Sequence, residues 1–250
     1  MAKGIDAARH DILLLTDADC YPLSSEWVFQ MVAGLGDKEI GLAYAPYESR
    51  DSFLNRFIRF ETVWTATQYF GLALMGIPYM GIGRNLIYRK KLYEKAGGFT
   101  NHLKIMSGDD DLFAQSVLTK NNFSIILNPL TFMFSEPKTQ WNSYITQKKR
   151  HISAATHYKR PIQIVLGVLS ASHFFYFVTA VLLLALKIST MFVLIFIVVR
   201  TCLIWFLYGR IVKILSELKL LQWIPILDTV YVLFYVLLAP ALTFRTQKWH

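Results

Sequence analysis

Hydrophobic residues follow two patterns along the 250 residues of the chain. Up to about residue 160 the apolar runs are short and polar segments separate them, as in a globular domain. The run from Ile12 to Leu15 predicts a strand buried on both faces of a parallel sheet, after a helix over Asp6 to Arg9. Later apolar blocks reach the ~20 residues that a membrane-spanning helix needs. We expect about three such helices, at about 162–186, 189–208 and 220–244.

The pattern therefore divides the chain into an α/β domain, residues 1–160, and a membrane domain, residues 161–250. Two charges interrupt the apolar blocks of the membrane domain, Arg200 in the second block and Asp228 in the third. A charge inside a membrane helix either pairs within the helix bundle or lines a polar path for a substrate. We expect the pairing, because the polar path would require a transporter and rests on these two residues alone.

Composition and charge also indicate a membrane protein, because 54% of the residues are hydrophobic and only 17% are charged. The net charge of +9 comes mostly from Lys and Arg residues that flank the predicted spans. Under the positive-inside rule their distribution puts the α/β domain at the cytoplasmic face of a multi-pass protein. Such charges favour anionic membrane lipids over nucleic acid as partners. Cys20 and Cys202 show no disulfide or metal-ligand spacing, and we expect both to be reduced.

The turn after the first predicted strand carries two acidic side chains. The sequence there reads "DILLLTDADC", with Asp17 and Asp19 one residue apart at the carboxyl end of the strand. Ligands of open α/β sheets bind at that edge. Two carboxylates in one tight turn can hold Mg²⁺ or Mn²⁺ together with phosphate oxygens. A solvated turn explains the same tripeptide equally well, so its interpretation depends on the rest of the chain.

Two further motifs follow before the first predicted span, "SGDDDLFAQ" from Ser107 and "QKKRH" from Gln147. With them, the chain resembles the membrane-associated family 2 glycosyltransferases, which are related to cellulose and hyaluronan synthases and to ceramide glucosyltransferase. That family is marked by Asp-x-Asp, an acidic motif and Gln-x-x-Arg-Trp. The resemblance covers about residues 3–160. It implies an A-type glycosyltransferase fold with a Rossmann-like, mainly parallel sheet, followed by a transmembrane helix bundle.

The resemblance implies roles for four of these residues. Asp17 would contact the nucleotide and Asp19 the divalent metal, Mg²⁺ or Mn²⁺, so that the acidic turn holds both. Gln147 and Arg150 would bind the diphosphate or the acceptor end. A "GGF" segment at 97–99 also matches the family pattern. The implied donor is a nucleotide sugar, UDP- or GDP-linked.

The chain departs from the family pattern in two places. Gly108 stands where a Glu often precedes the catalytic Asp, so the base is either Asp109 or Asp110, with Asp109 as our first assignment. His151 stands where Trp is usual, and we assign it to the acceptor side. The resemblance further implies an N-terminal truncation, because only about ten residues precede the strand that carries Asp17. We therefore expect the first half of the nucleotide-binding sheet to be missing.

The acidic cluster at 109–111 has a chemical rationale of its own. Transfer of a sugar to a hydroxyl needs a base, and a carboxylate partly desolvated among other acids has the raised pKa that suits the task. Asp111 more plausibly caps or orients the following helix, "DLFAQSVLTK". The alternative is that all three acids merely occupy a helix start. Arg150 is the natural fork for negative charge on the departing diphosphate, and Lys148 and Lys149 are given no catalytic role.

A segment rich in aromatic residues lies between the acidic motifs, from residue 54 to 88. It predicts an interfacial amphipathic helix followed by a Gly-rich turn, although core packing explains its aromatic residues as well. In the first interpretation it forms an acceptor platform at the membrane surface, where Arg84 and Asn85 contact ligand phosphate or sugar.

Together these features predict an inverting, metal-dependent transfer of a sugar from a nucleotide sugar to a lipid or glycan hydroxyl at the cytoplasmic membrane face. Such an enzyme would serve the synthesis of a cell-envelope polysaccharide or a glycolipid. The alternative is a non-catalytic membrane scaffold, or an inactive fragment, that retains the fold.

Overall fold

A computed structural model of the chain describes residues 2–98 and 109–243, with the side chains of 3–98 and 110–238. The chain divides into two compact units, Met1–Tyr158 and Lys159–His250. The first unit combines helices with two small β-sheets, whereas the described part of the second is helical.

The larger sheet of the first unit has the strand order β1-β4-β3-β5. Its strands are β1 (Ile12–Leu15), β3 (Ile40–Ala43), β4 (Leu86–Arg89) and β5 (Phe123–Ile126). Strands β1 and β3 both run antiparallel to β4, and only β3 and β5 are parallel. The α/β class is therefore confirmed. The expectation of a mainly parallel sheet is wrong for the described strands, because they form a mixed sheet.

The first strand lies where the sequence predicts it, but its burial differs from the expectation. Leu13 and Leu15 are buried, whereas Ile12 and Leu14 are only partly buried. The latter two pack against the core beneath α2 (Trp27–Leu35). Within the described residues β1 pairs with β4 alone, so its other edge has no neighbouring strand. Successive residues of a strand point to opposite faces, so the alternation means that the face with Leu13 and Leu15 is covered more fully than the other.

The first helix, α1, covers Ala2–Asp6 and ends earlier than the predicted helix over Asp6 to Arg9. The side-chain ammonium of Lys90 explains the early end. It donates hydrogen bonds to the backbone carbonyls of Asp6, at 3.3 Å, and Ala8, at 2.9 Å. A lysine at this position satisfies carbonyls that the helix leaves without partners at its C-terminus. That lysine is remote in sequence, so the local pattern could not reveal it.

The aromatic segment forms the long helix α3, Phe53–Leu74, which begins after the N-cap residue Ser52. The Ser52 hydroxyl accepts a hydrogen bond from the Asn55 backbone N–H at 3.1 Å. Fourteen of the 22 residues of α3 are buried, including Phe57 and Tyr69, which have no exposed surface. The helix is confirmed, but its place is the core of the first unit. The burial of these aromatic side chains agrees with the core-packing alternative, while the partly exposed Trp64, Gln68 and Gly71 follow one side of the helix toward the exposed Leu74.

The remaining elements of the first unit surround the sheet and α3. A second, two-stranded sheet pairs β2 with β6 in antiparallel register. The elements are β2 (Cys20–Pro22), α4 (Lys90–Lys95), α5 (Asp109–Val117), β6 (Met133–Ser135) and α6 (Trp141–Ala155). Helix α6 packs on α3 through Tyr144, whose ring centre lies 6.0 Å from that of Phe57 in an edge-to-face contact.

The second unit contains three described helices that are long and apolar enough to cross a membrane. They are α7 (Arg160–Ala185), α8 (Thr190–Ile214) and α9 (Ile224–Thr243). Only 6% of the most apolar window of α7, and the same share of α8, is buried within the protein. Such exposed apolar surface is expected of helices whose solvent is lipid. Helix α8 continues six residues past the predicted end at 208, as far as Ile214.

The two charges of the membrane helices pair with one another, as the sequence predicts. One guanidinium nitrogen of Arg200 donates to a carboxylate oxygen of Asp228. The sequence did not single out His173, whose Nε2 lies 3.0 Å from the other carboxylate oxygen. The Arg200 guanidinium also covers the ring of Tyr176, at 4.3 Å from its centre. This cluster joins the three helices and gives both charges a protein partner.

Candidate active site

The acidic turn follows directly from β1 and is closed by its own backbone. The Cys20 N–H donates to the Asp17 carbonyl at 3.1 Å, which folds the intervening residues back on themselves. Asp17 and Asp19 are both exposed. One ligand atom from each of Asp17, Asp19 and Cys20 lies within 4.8 Å of the others. The two carboxylates therefore point toward a common position, as the sequence predicts for a cation site.

The donor set at this turn favours a hard divalent cation. The Cys20 thiol lies 3.6 Å from an oxygen of Asp19, within range of a weak S–H···O hydrogen bond. Partial burial raises the pKa of Cys20, and the charges of Asp19 and Asp17 raise it further, although Arg84 opposes them. The thiol therefore stays protonated near neutral pH and is a poor ligand. The two carboxylates remain, and oxygen donors of this kind suit Mg²⁺ or Mn²⁺.

Arg84 lies beside the acidic turn and is held there by several contacts. It belongs to a short 3₁₀ helix, Gly83–Asn85, just before β4. Its guanidinium donates to the Ala45 carbonyl at 3.0 Å and to the Ser135 hydroxyl. It also lies 4.4 Å from the centre of the Tyr47 ring, in a cation–π contact. Arg84 is thus a fixed, half-buried positive charge near Asp17 and Asp19.

Asn85 has a structural role instead of the predicted ligand contact. The residue has no exposed surface. Its amide nitrogen donates to the carbonyls of Tyr44 and Thr131, both at 2.8 Å. Its amide oxygen accepts from the indole N–H of Trp27 at 3.1 Å. The sequence assignment of Asn85 to acceptor binding is therefore a mistake, because the side chain is buried and hydrogen-bonded within the protein.

The basic motif lies on α6 and approaches the same region. The Gln147 amide nitrogen donates to the Tyr47 hydroxyl at 3.4 Å, and the Arg84 guanidinium lies over the Tyr47 ring. Arg150 is exposed and remains available to a ligand. Lys148, in contrast, forms an ion pair with the buried carboxylate of Glu61 on α3. Lys148, for which the sequence predicts no catalytic role, thus has a structural partner inside the protein.

His151 follows Arg150 on α6 and is surrounded by positive charge. Part of its surface is open to solvent. The surrounding protein atoms still displace enough water to lower its pKa to about 3, and Lys148, Arg150 and Arg84 lower it further. His151 is therefore a neutral imidazole at physiological pH, able to donate at one ring nitrogen and accept at the other. The influence of Arg84 also shows that this motif lies near the acidic turn.

The acidic motif opens α5, whose first residue is Asp109. The side chain of Asp109 lies outside the described side chains. The Asp110 carboxylate lies so close to Gly83 that a side-chain carbon on that glycine would overlap it. The Asp111 carboxylate accepts a hydrogen bond from the Tyr158 hydroxyl at 3.0 Å. Of the preceding residues, Phe99, Ser107 and Gly108 lie outside the described part of the chain.

The short helix Gly83–Asn85 connects the three motifs of the site. Gly83 contacts Asp110, and Arg84 lies near both Cys20 and His151. The sequence predicts this segment as a Gly-rich turn in which Arg84 and Asn85 contact the ligand, but it does not predict that the segment links the motifs. It gave no signal for Tyr47, which contacts both Arg84 and Gln147. Such contacts join residues that are far apart in sequence, and a local pattern cannot show them.

Comparison with known proteins gives a family and a distant structural relative. No curated protein matches the chain. Its fold is similar to that of a mannosyltransferase from Pyrobaculum calidifontis, solved in complex with GDP-Man and Mn²⁺. The two share 17% sequence identity with a TM-score of 0.46, over 94% of this chain and 65% of the other. The chain thus spans less than two thirds of the length of that relative.

The family assignment rests on a match along the whole sequence. The sequence model of glycosyl transferase family 21 matches residues 1–250. The matched region includes the acidic turn, the helix that begins at Asp109, and α6 with Gln147 and Arg150. The chain therefore belongs to glycosyl transferase family 21.

Proposed function

We propose that this chain is an inverting, metal-dependent glycosyltransferase that moves a sugar from a nucleotide-diphosphate sugar to a lipid or glycan hydroxyl. The observation that carries the proposal is the convergence of Asp17 and Asp19 on one position, with ligand atoms within 4.8 Å of each other and of Cys20. Arg84 adds a fixed positive charge close by. A carboxylate pair beside a held arginine suits a diphosphate that binds together with Mg²⁺ or Mn²⁺.

The acidic turn binds the donor in this proposal. Asp19 holds the metal, and Asp17 holds the metal and contacts the nucleotide. A bound divalent cation would supply positive charge to the diphosphate oxygens as the leaving group departs. The donor would be a UDP- or GDP-linked sugar, because diphosphate oxygens are ligands that suit such a cation.

Helix α5 supplies the base. The acceptor hydroxyl oxygen forms a bond to the anomeric carbon while the bond from that carbon to the diphosphate breaks. The hydroxyl proton passes to the carboxylate of Asp109, or to that of Asp110, which lies against Gly83. Attack from the face opposite the leaving group inverts the anomeric centre.

Helix α6 binds the departing diphosphate and the acceptor. Arg150 is exposed and can donate two hydrogen bonds to phosphate oxygens. Gln147 is held by Tyr47 near Arg84, so these side chains form one polar surface. Neutral His151 offers a hydrogen-bonding group to the acceptor without adding charge.

In this proposal the transfer takes place at a lipid surface. Three described helices can cross a bilayer, and the Lys and Arg residues beside them favour a cytoplasmic first unit in a multi-pass protein. Membrane lipids are therefore partners, and a lipid hydroxyl is an accessible acceptor. The enzyme would serve the synthesis of a glycolipid or an envelope polysaccharide.

The proposal is tested by the release of nucleoside diphosphate from UDP- or GDP-linked hexoses by the chain in lipid nanodiscs. We expect release that requires Mg²⁺ or Mn²⁺ and stops with excess chelator. Asp109→Asn should lower turnover at least ~100-fold while nucleotide binding stays, the scale expected of a lost base. Turnover that persists without divalent metal, or in Asp109→Asn and Asp110→Asn alike, would contradict it.

A further inference from the structure

The third residue of the acidic cluster has a defined partner. Asp111 lies in the first turn of α5, and its carboxylate accepts the Tyr158 hydroxyl at 3.0 Å. Successive residues of a helix point about 100° apart, so Asp110 and Asp111 face different neighbours. Asp110 faces Gly83, and Asp111 faces Tyr158. The hydrogen bond gives the Asp111 carboxylate a partner within the protein.

Tyr158 is held in place by its own surroundings. It is 8% exposed, and its ring meets that of Tyr79 edge to face, with 5.9 Å between the ring centres. Burial raises the pKa of the Tyr158 hydroxyl, and the charge of Asp111 raises it further. The hydroxyl therefore stays protonated, and it remains a donor at any pH at which the enzyme would work.

Tyr158 also stands at the end of the helix that carries the basic motif. Helix α6 ends at Ala155, and the Tyr158 backbone N–H donates to the Ala155 carbonyl at 3.2 Å. The side-chain bond to Asp111 thus ties the end of α6 to the first turn of α5. One hydrogen bond joins the helix of the candidate base to the helix of Gln147 and Arg150.

We propose that Tyr158 is a positioning residue for the transfer reaction. Its hydroxyl holds Asp111 and so fixes the first turn of α5 relative to α6. The neighbouring carboxylate of Asp109 or Asp110 then meets the acceptor hydroxyl while α6 holds the diphosphate. Asp111 itself is an anchor and not the base. This inference rests on the proposed function, because it names what the geometry of α5 and α6 serves.

The inference predicts a loss of kcat that a matched control does not share. Tyr158→Phe removes the hydroxyl and keeps the ring, and kcat should fall about 10-fold, the scale of one hydrogen bond, with the donor KM within twofold. Tyr79→Phe makes the same chemical change in the ring beside it. The structure shows no hydrogen bond from the Tyr79 hydroxyl within its described residues, so this variant should keep kcat within twofold.

Substitutions of Asp111 test whether the two residues act as a unit. Asp111→Ala should lower kcat at least as much as Tyr158→Phe, and the double variant should be no worse than Asp111→Ala, because the bond between the two side chains is lost in all three. Asp111→Asn keeps an oxygen that can accept the Tyr158 hydroxyl, and should recover most of the loss. Additive losses in the double variant, or an Asp111→Asn variant as inactive as Asp109→Asn, would overturn the inference.

Hydrogen–deuterium exchange gives a readout that does not depend on turnover. Tyr158→Phe should speed amide exchange in α5 at least threefold over wild type, with Tyr79→Phe unchanged. Equal exchange in the two variants would overturn the anchoring role. If wild type releases no nucleoside diphosphate from any UDP- or GDP-linked hexose, the proposed function fails, while the exchange result still decides whether Tyr158 anchors α5.

Discussion

The first unit places carboxylates in two contrasting surroundings, the acidic turn and the interface between α3 and α6. At the turn, Asp17 and Asp19 are exposed, and their oxygens converge on one position. At the interface, the buried Glu61 carboxylate pairs with the Lys148 ammonium and accepts the Tyr144 hydroxyl at 3.1 Å. Glu61 thus has its cation within the protein, whereas the two exposed acids offer a site for one from outside.

The difference teaches how to separate structural acids from functional ones in this chain. A buried acid that pairs with a fixed cation affects the stability of the fold, because removing one partner leaves the other charged and dehydrated. Two exposed acids that lie close together repel each other slightly in the folded protein, and the same closeness gives them affinity for a cation. Substitutions at the interface should therefore change stability, and those at the turn should change binding.

Lys148→Met should have the largest effect, because it leaves Glu61 without its cation in a site where that side chain is only 6% exposed. We expect the free energy of unfolding to fall by about 3–5 kcal/mol. Urea unfolding of the detergent-solubilised chain, followed by Trp fluorescence, measures the change. The double variant Glu61→Met, Lys148→Met should recover most of the loss.

A surface ion pair supplies the control for Lys148→Met. Arg50 lies 3.1 Å from Glu48, and the side chains are 41% and 24% exposed. Arg50→Met should change stability far less than Lys148→Met, because water solvates both charges. Equal losses from the two substitutions would show that burial does not set the effect.

Asp228→Leu tests the same principle in the membrane helices. It leaves Arg200 without its carboxylate partner in an apolar bundle, and we expect a loss of about 2 kcal/mol. The effect should be smaller than at Glu61, because the long Arg200 side chain is 21% exposed and can move toward water. Unfolding in mixed detergent micelles measures it, and the added Arg200→Leu change should restore stability. No recovery in the double variant would argue against the pairing as the cause.

The features that the sequence predicts well are those set by neighbours along the chain. The strand Ile12–Leu15, the turn with Asp17 and Asp19, and the three apolar helices all follow from local patterns of hydrophobicity and charge. Each is visible within a window of about twenty residues, so the sequence alone suffices.

The features that sequence reasoning missed depend on contacts between distant segments. Strand β1 pairs antiparallel with a strand more than seventy residues away, and its own residues do not encode that direction. In the sequence, Asn85 looks like an exposed polar residue of a Gly-rich turn. In the structure it is buried and donates hydrogen bonds to the carbonyls of Tyr44 and Thr131. Lys148 belongs to a basic cluster in the sequence, and only the structure shows its ion pair with Glu61. Tertiary structure decides each of these roles.

His151→Gln should have a small effect on folding that depends on pH. The pKa of His151 is about 3 in the folded protein and near its ordinary 6.5 when unfolded. The unfolded chain therefore binds more protons between these values, and the stability of wild type falls as pH drops through this window. Between pH 7 and pH 4 the free energy of unfolding should therefore fall less for His151→Gln than for wild type. The difference should be well under ~1 kcal/mol, because solvent screens an exposed group. An identical pH dependence for both proteins would contradict the lowered pKa.

Asp19→Asn should change folding least and ligand binding most. An exposed acid away from a packed core leaves stability within about 0.5 kcal/mol. Loss of one of the two converging carboxylates should remove the gain in nucleotide affinity that Mn²⁺ provides. Asp37→Asn, which removes another exposed acid of the first unit, is the control and should bind as wild type does.

The most direct test of the account is therefore isothermal titration calorimetry of UDP and of GDP into the nanodisc-embedded chain, with and without Mn²⁺. The account predicts that at least one of the two nucleotides binds wild type and Asp37→Asn only when Mn²⁺ is present, and that Asp19→Asn binds at least ~10-fold more weakly under the same conditions. Binding to wild type that is equally tight without Mn²⁺, or an Asp19→Asn variant that keeps full Mn²⁺-dependent affinity, would contradict the assignment of the acidic turn as the donor site.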